Sequence, residues 1–153
     1  MSNIYNVVSS NLENNQSSYD AYNSFIFDSN KNIFFKLATR IDLFSYIEKV
    51  PGDIVECGVF KGSGMMVWLK LLNMYTPHDS RKVLGFDFFG KEFVDELKND
   101  IDKNSMAQVF DRCNVENDEL STEFISNKFV KAGIDKNKFE LIKDYLNLQE
   151  KIF

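Results

Sequence analysis

One histidine, two cysteines and two prolines are all that this 153-residue sequence holds of those types. A lone His78 cannot build a multi-histidine metal site, and Cys57 and Cys113 stand in no CxxC or His/Cys spacing that would signal zinc or redox work. Both cysteines are expected to be free thiols. A basic cluster is missing as well: 18 Lys and Arg face 23 Asp and Glu, a formal charge of −5. That balance argues against nucleic acid or an anionic membrane as partner, since either needs a positive footprint. No uninterrupted apolar run of about 18 residues occurs, and the N-terminus lacks the charged and apolar regions of a signal peptide, so the chain is expected to be cytoplasmic. Two familiar glycine motifs are absent too. Gly58, Gly62 and Gly64 read GxxxGxG, a poor fit to the dinucleotide GxGxxG, and the order Lys61-Gly62-Ser63 excludes a Walker phosphate loop.

What is present is a globular composition, 44% hydrophobic and 14% aromatic, of a length that suits one domain with a real core. The densest signal lies in Asp53-Ile54-Val55-Glu56-Cys57-Gly58-Val59-Phe60-Lys61-Gly62-Ser63-Gly64. A short apolar strand ends in an acid and opens through glycines into a helix, which is the layout of a nucleotide-type cradle. The strand delivers Glu56 to the carboxyl end of a sheet, and the helix aims its N-terminus at the same place. A second strand, Lys82 to Asp87, also ends in a carboxylate. Parallel neighbours joined by a crossover helix bring Glu56 and Asp87 to one rim, where Asp87 can accept from both hydroxyls of a ribose. An acid just before the first glycine suits a cationic, hydroxyl-rich ligand, and S-adenosylmethionine is one. Plainer roles exist for each acid: Asp87 as a turn or cap residue, Glu56 as a brace for the glycine loop.

Along the chain the expected order is helix, strand, helix, strand, long insertion, helix, strand. Residues 1–30, rich in Asn and Ser with interspersed Tyr and Phe, read as a loosely ordered arm, and residues 31–153 as the folded domain. Phe34, Leu37, Ile41 and Phe44 recur at helical spacing between Lys31 and Lys49, and Pro51-Gly52 stops that helix. Met65, Trp68, Leu69 and Leu72 form the core stripe of the helix after the glycines, which is expected to run to Tyr75. The turn holding His78 then falls at the amino end of the second strand, on the far rim from Glu56 and Asp87. Residues 88–117 form a polar, acidic insertion on the ligand side, with a helix expected over 92–101. Leu120 to Ala132 reads as a crossover helix closed by Gly133.

The runs Val50 to Gly62 and Arg81 to Gly90 resemble the macrocin O-methyltransferase-type family, with a weaker likeness at Ala132-Gly133-Ile134 and Phe139 to Lys143. The likeness spans about residues 33–143. It implies an α/β, Rossmann-like class I methyltransferase sheet, an S-adenosylmethionine-dependent enzyme that methylates a sugar hydroxyl, and magnesium in the complete enzyme. Glu56, Gly58, Gly62, Ser63, Gly64 and Asp87 are then the cofactor residues. No residue is assigned to catalysis and none to a metal. Where the family continues with Gly and an acid, this chain has Asp144-Tyr145.

Only about the first three of roughly seven strands of such a sheet are accounted for, so the strand bearing Glu56 is expected to be an open edge. Either the sequence is a piece of a longer chain, with the metal ligands and the base elsewhere, or a partner completes the sheet as a homo-oligomer or a different chain. Two other readings stand beside the enzyme: a non-catalytic module that keeps the cradle, and an unrelated doubly wound nucleotide-binding domain.

Overall fold

The computed structural model describes residues 16–116 and 118–143. These fall into two compact units divided between Asp42 and Leu43. The first unit holds helix α1 (Gln16–Ile26) and most of helix α2 (Lys31–Ile47). Asn30 ends the link between them: its Oδ1 accepts from the Asn32 N–H at 3.1 Å, a capping contact at the start of α2. Residues 16–26 are therefore helical where a loosely ordered arm was expected. Tyr19, Tyr22 and Phe25 sit at helical intervals, and Phe25 stacks with Phe34 at 6.1 Å between ring centroids. The earlier part of that arm, like Asp144-Tyr145, lies outside the described residues.

The second unit is built on a parallel sheet, ordered β1 (Ile54–Cys57), β2 (Val83–Asp87), β3 (Phe139–Lys143). Ile54 faces Val83 and Glu56 faces Gly85 in the first pair, while Val83 faces Phe139 and Asp87 faces Lys143 in the second. The Gly58 N–H donates to the Phe86 carbonyl at 2.9 Å and carries the ladder one residue past β1. Because side chains alternate along a strand, Ile54, Val83 and Phe139 share one face and are all buried. Val55, on the other face, is 56% exposed. The expected open edge is present: among the described residues β1 pairs with β2 alone.

Helix α3 (Ser63–Tyr75) covers the buried face with Met65, Trp68, Leu69 and Leu72, the stripe expected from the sequence. Helix α6 (Thr122–Lys131) adds Ile125 and Phe129 to the same core. Its N-cap is Ser121, whose hydroxyl accepts from the Phe124 N–H, and it closes at Gly133 with φ +84° as expected. Arg81, the first residue of the second family-like run, is buried beside this core. It donates to the carbonyls of Ile47 and Glu48 at 2.8 and 2.9 Å and to Asp79, so a cation closes the C-terminal end of α2 where the helix dipole favours one.

The insertion departs from expectation. Instead of one helix over 92–101 it forms a single turn α4 (Phe93–Glu96) and a longer helix α5 (Asp100–Arg112). Asn99 decides this, because its Oδ1 accepts from the Ile101 N–H as an N-cap, and Asp100 and Asp102 fill the first turn while Arg112 fills the last. Phe110, Val115 and Leu120 make a second small core of their own.

Gly85 is where the sheet and α3 come closest. A Cβ there would meet the Met65 sulfur and lie 2.8 Å from Val59 Cγ2, and both neighbours are buried. Replacing Gly85 by Ala is expected to cost about 1–3 kcal/mol of stability by overpacking, read as a lower urea midpoint; an unchanged midpoint would mean that the helix can slide away at no cost.

Candidate functional site

The parallel register puts the ends of β1 and β2 side by side, so the chain leaves both strands on the same rim. Of the residues expected to form a site, Glu56 and Gly58 end β1, Gly62, Ser63 and Gly64 start α3, and Asp87 ends β2. Gly58, Gly62 and Phe60 all take positive φ, at 85°, 85° and 52°. Each glycine answers a different need. Around Gly58 nothing lies within 4 Å of where a Cβ would stand, so its surroundings are open. At Gly62 a Cβ would press on Ile125 and Phe129 at 3.0–3.1 Å, so that glycine lets α6 pack against the start of α3. Ser63 is exposed and Gly64 buried in the first turn.

Helix α3 has no side-chain cap at Gly62. Its first-turn N–H groups and positive dipole end thus face the glycine loop, which is suited to an anionic group such as an amino-acid carboxylate.

Both carboxylates have protein partners. Asp87 Oδ2 accepts from the Phe60 N–H and Oδ1 from the Phe88 N–H, each at 2.7 Å. Asp87 therefore fixes the glycine loop, and it pins Phe60 in a left-handed conformation that a bulky residue seldom adopts. Phe89, just past Asp87, is left-handed too, with φ 51°. Glu56 Oε2 accepts from Trp68 Nε1 at 2.7 Å, which ties β1 to the helix above it. A carboxylate offers about four lone-pair sites, so these bonds leave Asp87 acceptor capacity for a ligand.

The loop also has partners in the segment after β2 that sequence reasoning missed. Lys61 Nζ donates to the carbonyls of Cys113 and Asn114 at 3.1 and 3.5 Å and pairs with Glu119 at 2.6 Å. The ring of Phe60 packs against the small core of Phe110, Val115 and Leu120. Lysine after a glycine-rich turn carries no periodic signal, and its partners lie more than 50 residues away. His78, exposed in the turn before β2, sits on the far rim as expected. A cavity of about 240 Å³ also lies on that rim, lined by Leu69, Asn73, Thr76, Ile134 and Lys138, and contains none of the residues named above for the site. Among the described residues no three His, Cys, Asp or Glu side chains are grouped to hold a metal.

The three parallel strands with their helices form a partial Rossmann-like sheet. The chain belongs to the macrocin O-methyltransferase (TylF) family, whose model matches residues 38–148. Among solved structures it is similar to CalS11, a calicheamicin methyltransferase, with TM-score 0.54 and 21% identity over 81% of this chain and 49% of that one. A second structure, apo CalS11, described as a TDP-rhamnose 3′-O-methyltransferase of calicheamicin biosynthesis, gives TM-score 0.45 and 18% identity over 81% and 45%. This chain thus spans about half the length of the structures it matches. No curated protein matches it.

The Lys61–Glu119 pair has a pH signature. The Lys61 hydrogen bond, followed by the N–H of Glu116, holds the Glu119 carboxyl below its ordinary value of 4.5. A depressed carboxylate contributes stability above the unfolded-state value and loses it as pH falls through the folded one. An NMR titration should therefore show Glu119 titrating below 4.5 and Lys61→Met bringing it back toward the ordinary value; identical curves would mean that the pair does not form in solution.

Proposed function

We propose that the chain is the cofactor-binding part of an S-adenosylmethionine-dependent O-methyltransferase acting on a sugar hydroxyl. The observation that carries this reading is the single rim on which the open Gly58, the uncapped start of α3 and Asp87 meet. The family supports methyl transfer, and the CalS11 description supports a deoxysugar acceptor.

The residues suit the cofactor group by group. S-adenosylmethionine, when bound, supplies a sulfonium-activated methyl group to a hydroxyl placed in line with it. Gly58 leaves room for the backbone of the loop to be approached closely, and the first turn of α3 offers the N–H groups of Ser63 and Gly64 to the methionyl carboxylate, while Gly62, whose own N–H is held by the Val59 carbonyl at 2.9 Å, shapes the turn that presents them. Asp87 takes the ribose hydroxyls with its remaining lone pairs while it still holds the Phe60 N–H. Glu56 contributes negative charge beside the ammonium and sulfonium. The acceptor's proton needs a base, and no residue on this rim is assigned that task. Among the described residues no group of side chains is placed to hold magnesium.

Isothermal calorimetry with S-adenosylmethionine tests the reading. Micromolar binding by the wild-type chain is expected, and Asp87→Ala should lose about 2–4 kcal/mol, the range for removing charge-assisted bonds to two hydroxyls. Absence of binding to the wild-type chain would contradict the assignment; equal binding by both proteins would remove Asp87 from the site.

A further inference from the structure

The segment that follows β2 is too closely tied to the glycine loop to be a passive insertion. Two direct contacts join them, and two further ones brace the junction. The ring of Phe60 enters the small core formed by Phe110, Val115 and Leu120. Lys61 Nζ reaches the Cys113 and Asn114 carbonyls and the Glu119 carboxylate. Phe88, whose N–H is held by Asp87, stacks on Phe93 at 4.4 Å between centroids, and Phe93 meets Phe110 edge-on at 6.2 Å. From the other side, Lys128 Nζ of α6 donates to the Lys61 carbonyl at 3.2 Å.

The chemistry of the Lys61 contact is specific. The Cys113 and Asn114 carbonyls belong to the turn that ends α5, where Asn114 takes φ 45° and helical carbonyls lack intrahelical partners. An ammonium there satisfies those oxygens, complements the negative end of the helix dipole, and is neutralised by Glu119 just before α6. Lysine has three donors, and three acceptors surround it. Lys91 repeats the device nearby, donating to the Val115 carbonyl.

We propose that Lys61 is a positioning residue, which latches the α4–α5 segment as a cap onto the glycine loop so that cap and cofactor cradle order as one unit. The choice of ligand rests on the methyltransferase reading; the latch does not. Phe60 and Lys61 are adjacent, with one backbone N–H held by Asp87 beneath and both side chains held by the cap above. A cap that lifts therefore releases Phe60 from its left-handed conformation, and with it the Asp87 carboxylate that the ribose is to meet. Residues of the cap that never touch the ligand then govern how tightly it binds.

Hydrogen exchange on the intact chain without ligand decides the latch, using Lys61→Met, Lys61→Arg and the milder Glu119→Gln, with the amides of β2 as internal reference. In Lys61→Met the amides of Phe60 and Gly62 and those of Cys113 and Val115 should exchange about tenfold faster, in step, while β2 stays as in wild type. Lys61→Arg should restore most of the protection, and Glu119→Gln should shift both sets by a smaller common factor. Faster exchange in the cap alone, or no change in either set, overturns the proposal. Calorimetry with S-adenosylhomocysteine supplies the functional arm: Lys61→Met is expected to bind about tenfold more weakly and Lys61→Arg close to wild type. Equal affinity in Lys61→Met and wild type overturns the positioning role. Failure of the wild-type protein to bind overturns the ligand assignment instead, and leaves the exchange result to judge the latch.

Discussion

The carboxylate of Asp87 is the point on which the rim depends. It stands at the last residue of β2 and reaches across to the loop that follows β1, accepting the N–H of Phe60 with one oxygen and that of Phe88 with the other. The two strands bring their ends together by register, but register alone leaves the loop free. Asp87 converts two adjacent strand ends into a shaped edge. Hydrogen bonds to an ionised acceptor are about twice as strong as neutral ones, enough to offset the 1–2 kcal/mol or so that a left-handed non-glycine residue costs. Phe60 is held this way, and the left-handed Phe89 follows directly after Phe88, the other donor to Asp87.

From that edge, packing runs in two directions. Downward, Val59, Met65 and Trp68 join the main core over the sheet, and Gly85 lets the helix lie close. Upward, Phe60 joins the core of the cap, and Lys61 closes the end of α5. A loop of five residues, Gly58 to Gly62, thus belongs to two hydrophobic clusters at once. That is an economical way to make a binding edge rigid, since neither cluster can shift without moving the loop. The other side of the sheet is different in kind: Val55 is largely exposed and β1 pairs on one side only among the described residues.

Much of this was legible in the residues. The acid-glycine run, the second acid-ended strand and the apolar stripe of α3 each reflect a local rule, so the three parallel strands, the shared rim and the remote His78 followed. The misses have a common cause in distance along the chain. Asn99 was overlooked as a cap because acids lie on both sides of it, and its contact with the Ile101 N–H, which sets the later start, is visible only in the structure. Residues 16–26 form a helix despite a polar, Asn- and Ser-rich composition. Arg81 and Lys61 act on carbonyls contributed by remote segments, and no pattern of side chains announces a carbonyl. Glu56 was expected near the ligand, and its bond to Trp68 adds a structural duty that became visible only once the helix was placed over the strand.

Amide chemical shifts recorded while S-adenosylhomocysteine is titrated into the chain would locate the ligand directly. Changes should concentrate at Gly58, Phe60, Gly62, Ser63 and Phe88, and extend to Cys113 and Val115 of the cap. Changes centred instead on Asn73, Thr76 and Ile134 at the opposite rim would place binding in the cavity there and contradict the assignment of the Asp87 rim as the cofactor site.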